Sequence, residues 1–157
     1  MATLQLANLD ARLTFLALQY HLARPGSELD SETKQPAPTG LRSVAEALEP
    51  QLDRAVAAIE LSDRQRGRLL SAMSGAINEL KSYSLLADSG RSTVPAFDAA
   101  LRRLFPQVAD DPDEATQLAG HLLAVRRRLE QASFVSDGGE QPAPARRGWW
   151  QLWRRGG

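Results

Sequence analysis

The sequence predicts an all-α fold: an antiparallel bundle of four to five helices with a flexible C-terminal tail. Three observations carry this expectation. Ala and Leu dominate the composition, and both favour helix. β-branched residues are few, which argues against a sheet-rich fold. Apolar residues recur at three- and four-residue steps in successive segments, the spacing of a helix face. The 157 residues suit one domain, and an apolar share of 43% suffices for a modest core rather than a disordered chain.

Residues 1–133 are expected to form the helical body. The first helix is expected from Thr3 to Ala23, with Leu6, Leu9, Leu13, Leu16 and Tyr20 on one face. Pro25-Gly26 stops it, and residues 25–40, rich in Pro, Gly and Ser, read as a long loop. A second helix is expected over Leu41–Glu60, with Val44, Ala45, Leu48, Leu52, Val56 and Ile59 on its apolar side. Pro50 should kink it or break it in two. Ser62-Asp63-Arg64-Gln65 is a capping box and opens a helix to about Ala87 that carries Leu69, Leu70, Met73, Ile77, Leu80 and Leu85. A short helix from Pro95 to Phe105 presents Phe97, Leu101, Leu104 and Phe105. Asp111-Pro112 opens the last helix, which runs to about Ala132 with Leu118, Leu122, Val125 and Leu129 in line. Residues 134–145, with their Gly and Pro, read as a flexible linker, and 146–157 as a Trp/Arg-rich tail.

Charge divides the chain unevenly. All 19 acidic residues lie at or before Glu140, so residues 1–140 carry a net −4 and the remainder +4. A net-acidic body argues against nucleic acid as a partner. The absence of cysteine removes disulfides, thiolate metal sites and cysteine nucleophiles. No apolar run is long enough for a transmembrane helix, and the opening segment lacks the positive region of a signal peptide, so a cytoplasmic location is expected.

The chemistry-bearing residues give no catalytic set and no cofactor or metal site. His21 and His121 read as ordinary helix histidines. The arginines at 64, 66 and 68, at 102 and 103, and at 126, 127 and 128 read as solvated faces with local ion pairs. Asp110, Asp111, Asp113 and Glu114 lack the spacing of a cation loop and suit a helix N-terminus instead. The tail differs. All three tryptophans lie within it as Trp149, Trp150 and Trp153, joined by Leu152 and flanked by Arg146, Arg147, Arg154 and Arg155. Trp and Arg dominate binding hot spots, and they also suit an anionic membrane interface. The sequence therefore predicts a non-catalytic adaptor or accessory subunit: the bundle would bind a partner protein and the tail would dock to a second protein surface. The alternative is a small regulator held on anionic membrane by that tail. A phosphotransfer domain centred on His121 and an RNA binder rank below both.

Overall fold

A computed structural model of the chain describes residues 1–29, 33–36, 40–85 and 94–135, and the side chains of 84–85 and 133–135 are outside the described set. The fold is mostly helical, with one small sheet. Strand β1 (Ala2–Ala7) leads directly into helix α1 (Asn8–Leu22). Helix α2 (Arg42–Leu48) is followed by a 3₁₀ turn over Glu49–Gln51 and by strand β2 (Val56–Leu61). Helices α3 (Asp63–Leu85), α4 (Pro95–Leu104) and α5 (Asp113–Val135) complete the order, with a second 3₁₀ turn at Pro106–Ala109.

Two segments expected to be helical are strands, so the all-α expectation is corrected. The helix foreseen from Thr3 begins only at Asn8. The helix foreseen over Leu41–Glu60 breaks at Pro50, as expected, but the part beyond the break pairs with β1 in antiparallel register, Ala2 opposite Leu61 and Ala7 opposite Val56. The reason is alternation. Ala57, Ile59 and Leu61 are buried and Val56, Ala58 and Glu60 exposed, the period-two burial of a one-sided sheet. In β1, Leu4 and Leu6 turn inward while Thr3 and Gln5 are exposed.

Helix α1 is the hub. Ala11, Leu13, Thr14, Phe15, Leu16, Ala17 and Leu18 are all buried, so it has no solvent stripe over that run. It packs against the sheet, α2, α3, α4 and α5. Helices α3 and α5 lie side by side, and Arg126 Nε donates to the Leu70 carbonyl across them at 3.4 Å. Most of the foreseen helix-face residues are buried: Leu69, Met73, Ile77 and Leu80 in α3, Phe97, Leu101 and Leu104 in α4, with Phe105 just beyond it, and Leu118, Leu122, Val125 and Leu129 in α5, whereas Leu70 is only half-buried and the Leu85 side chain lies outside the described set.

Local capping chemistry fixes the helix starts. Gln65 N–H donates to Ser62 Oγ at 3.2 Å while Ser62 N–H donates to Gln65 Oε1 at 3.0 Å, which is the reciprocal capping box. Asp113 N–H donates to Asp111 Oδ1 at 3.0 Å at the head of α5.

Candidate interaction surface

Among the described residues, the titratable groups serve the fold rather than converge on a site. His21, at the end of α1, places Nε2 2.9 Å from Glu28 Oε1. The same carboxylate accepts from the backbone N–H groups of Leu41 and Arg42, each at 3.0 Å, and so caps the start of α2 from within the 25–40 loop. Gly26 with φ +74 allows the turn that brings Glu28 back. Burial alone would push the Glu28 carboxyl up. The Leu41 and Arg42 N–H groups and the His21 ring together outweigh that and hold it below the ordinary glutamate range. A depressed native value means that the clamp contributes its full stability above the ordinary glutamate range and loses it as pH falls through the lowered one. Glu28→Ala should therefore cost about 2 kcal/mol at neutral pH, read from urea unfolding midpoints. The difference from wild type should shrink in acid; a constant difference down to pH well below the glutamate range would refute the clamp.

His121 is exposed on α5 and makes no hydrogen bond or ion pair with a described residue. Five of these arginines form separate pairs: Arg66 with Asp63 (3.4 Å), Arg102 with Asp98 (3.1 Å), Arg103 with Glu49 (3.2 Å), Arg126 with Glu130 (2.8 Å) and Arg128 with Asp10 (2.8 Å), whereas Arg68 departs from the solvated reading, being half-buried with Nη1 buried and without a hydrogen-bond partner among the described residues. The pairs are surface contacts of small individual worth. Among the described residues no three His, Cys, Asp or Glu side chains are grouped to hold a metal ion, and no helix is long and apolar enough to cross a membrane. The Trp/Arg segment, 146–157, lies outside the described residues, as do residues 136–145 of the expected linker, whose first two residues, 134 and 135, belong to α5 instead.

What sequence reasoning missed is the sheet and its two unlike edges. Asn8 N–H donates to the Ala55 carbonyl at 3.1 Å, which makes 8 and 55 a hydrogen-bonded pair just beyond the β1 register. Alternation then assigns Leu6, Leu4 and Ala2 to hydrogen-bonded pairs with β2, and turns the backbone N–H and C=O of Thr3, Gln5 and Ala7 away from it. On the far side of β2 the middle residue of the outward set is met: Ala58 N–H donates to Gln51 Oε1, and Gln51 Nε2 donates to the Ala58 carbonyl, both at 3.0 Å. One glutamine amide thus occupies the centre of that edge, anchored by a 2.8 Å bond from its own Nε2 to the Ala47 carbonyl. No such cover lies on β1 among the described residues, where Thr3 and Gln5 are exposed along the outer edge.

The β1 edge also lacks the usual deterrents. Residues 1–9, Met-Ala-Thr-Leu-Gln-Leu-Ala-Asn-Leu, contain no charged side chain and no proline, the two devices by which edge strands ordinarily refuse a further strand. Among the described residues, exposed large apolar side chains are Met1, Leu9, Leu29 and Val56, and all but Leu29 lie on or next to this sheet. An open groove of about 480 Å³ runs across the neighbouring face, lined by Met1, Thr3, Val44, Ala58, Glu60 and Gln65 among others. The signal in the sequence was the uncharged alternation Thr3-Leu4-Gln5-Leu6-Ala7. Comparison of the chain with protein-family models, with curated proteins and with solved structures gives no match.

Proposed function

We propose that the chain is a non-catalytic adaptor with two contact regions. The helical body takes a protein partner along the open edge of β1, and the Trp/Arg segment, residues 146–157, docks to a second protein surface. The observation that carries the reading is the segregation of residue types. All three tryptophans and four arginines lie within Arg146–Arg155, in a stretch opposite in charge to the rest of the chain. Trp supplies large apolar contact area and Arg forms multidentate polar contacts, the combination that concentrates binding energy at interfaces. Holding such a segment on a body that itself binds raises the effective concentration of the second contact.

The test is a side-by-side comparison of the full chain and one lacking residues 146–157 in an interaction screen. The shortened chain should unfold at the same urea concentration and lose a defined set of partners. An unchanged set removes the docking role of the segment. A second reading, peripheral attachment to anionic membrane, is favoured by the arginine pairs on both sides of the indoles. Flotation with phosphatidylserine vesicles separates the two: attachment that disappears in high salt and with the truncation selects the membrane, and failure to float selects the protein surface.

A further inference from the structure

We infer that the occupant of the β1 edge is β1 of a second copy of this chain, joined about a two-fold axis at Leu4 to form one four-stranded antiparallel sheet. The inference rests on the reading of that edge as a docking surface and identifies what docks there. Its starting point is the direction of the backbone. Thr3 and Gln5 aim their N–H and C=O groups outward, with no strand to receive them among the described residues. An antiparallel copy can receive them only in registers that match outward groups with outward groups. Placing the axis at Leu4 sets Thr3 opposite Gln5 of the partner copy, and Gln5 opposite its Thr3, for four inter-chain backbone hydrogen bonds.

Side chains favour this register for a self-pair. On the inner face the row across the joined sheet becomes Ile59, Leu4, then Leu4 and Ile59 of the partner copy. Leu4 is only half-buried in the single chain, and its own counterpart would cover it. On the outer face Met1 falls opposite Ala7 of the partner copy, whose small side chain leaves Met1 within reach of the partner copy's Val56, since Ala7 and Val56 are paired in each chain. Met1 is 88% exposed and Val56 56% exposed, so the join covers the two most exposed large apolar residues among those described. No charged residue of β1 meets another, because residues 1–9 carry none. A self-pair with matching charges would be repelled; this one is not.

Assembly stops at two. The remaining edge of each sheet is the outer side of β2, where the Gln51 amide already occupies the N–H and C=O of Ala58. A contact that uses the same edge on both copies closes on itself, and four strands is an ordinary sheet size. Two joined bodies carry two Trp/Arg segments, which strengthens engagement with any surface presenting more than one site.

Sedimentation of the full chain over a wide concentration range reads the association directly. The wild type should pass from monomer to dimer without larger species. Thr3→Lys combined with Gln5→Lys places lysine opposite lysine at both symmetry-related positions. Both side chains are exposed, so helical content by circular dichroism should be unchanged while dimerisation weakens about tenfold or more. Leu4→Cys tests the register, and the chain has no other thiol. A directly opposed pair of this kind brings the Cα atoms to about 4.5 Å, inside the range of a disulfide, so mild oxidation should give a covalent dimer. Gln5→Cys sits diagonally from its counterpart at roughly 7–8 Å and should cross-link poorly. A wild type that stays monomeric at its highest soluble concentration overturns the inference, as does a dimer indifferent to the lysine pair. Amide exchange separates this from failure of the edge reading. Unprotected Thr3 and Gln5 amides in a monomer would keep the edge as an open docking site with a different occupant, whereas amides protected in a monomer would show the edge already covered within the chain and would overturn both.

Discussion

Phe97→Ala should cost about 4 kcal/mol of stability, the largest loss expected from any single side-chain truncation outside the hub helix. Phe97 is among the largest fully buried side chains, sits in the first turn of α4, and meets the Tyr20 ring edge-on at 5.9 Å between centroids and 86° between planes. Two terms add. The ring's transfer from water is lost, and α1 and α4 cannot fully close over the space it leaves. Helix α4 spans only ten residues, so its own propensity holds it weakly and its buried face of Phe97, Ala100, Leu101 and Leu104 does the holding. Urea unfolding of the variant should show a lower midpoint with an unchanged slope, and Phe97→Leu should recover most of the loss. A midpoint within about 1 kcal/mol of wild type would mean that α4 does not depend on this anchor.

The parts of the fold legible in the sequence are those set by neighbours along the chain. The Ser62–Gln65 capping box, Pro95 at the head of α4, Asp111-Pro112 before α5 and the break at Pro50 each act within about one helical turn, and each stands where it was read. The strands were illegible for the opposite reason. Ala2–Ala7 and Val56–Leu61 are strands because they pair with each other across a long stretch of chain, and each alone carries residues that also fit a helix. Leu6 serves both the helical step to Leu9 and the alternation with Leu4. Helix α1 compounded this, because a helix buried on every side continues the apolar pattern of the strand before it without interruption. The Glu28 clamp was hidden in the same way: its partners Leu41 and Arg42 are backbone groups, which no residue type announces. The Trp/Arg segment was legible from composition alone, whereas the open edge required knowing which strand lies outermost and that Gln51 closes the other side.

Gly75→Ala should destabilise the wild-type protein by about 2 kcal/mol and yet stabilise a Tyr20→Ala background by up to about 1 kcal/mol. In an exposed helix, alanine in place of glycine is favourable by roughly that smaller amount. Gly75 lies within α3, but a methyl group there would fall inside the Tyr20 ring, against Cε1, Cζ and the hydroxyl oxygen. The ring has little freedom to retreat. It is held edge-on against Phe97, and the Arg24 guanidinium lies 5.9 Å from its centroid. Displacing it forfeits those contacts and strains the α1–α3 packing, an overpacking cost of roughly 1–3 kcal/mol that exceeds the gain in helix propensity. Removing the ring first leaves only the propensity term, so the sign reverses. The two residues are thus coupled through steric exclusion, and a double-mutant cycle on urea midpoints measures it as non-additivity of about 3 kcal/mol. Additive effects would place the Tyr20 ring away from Gly75. The same cycle bears on the whole fold, because α1 is the element on which the sheet and every other helix rest. A glycine at position 75 is what lets the hub helix approach α3 closely at Tyr20, the ring against which Phe97 packs α4.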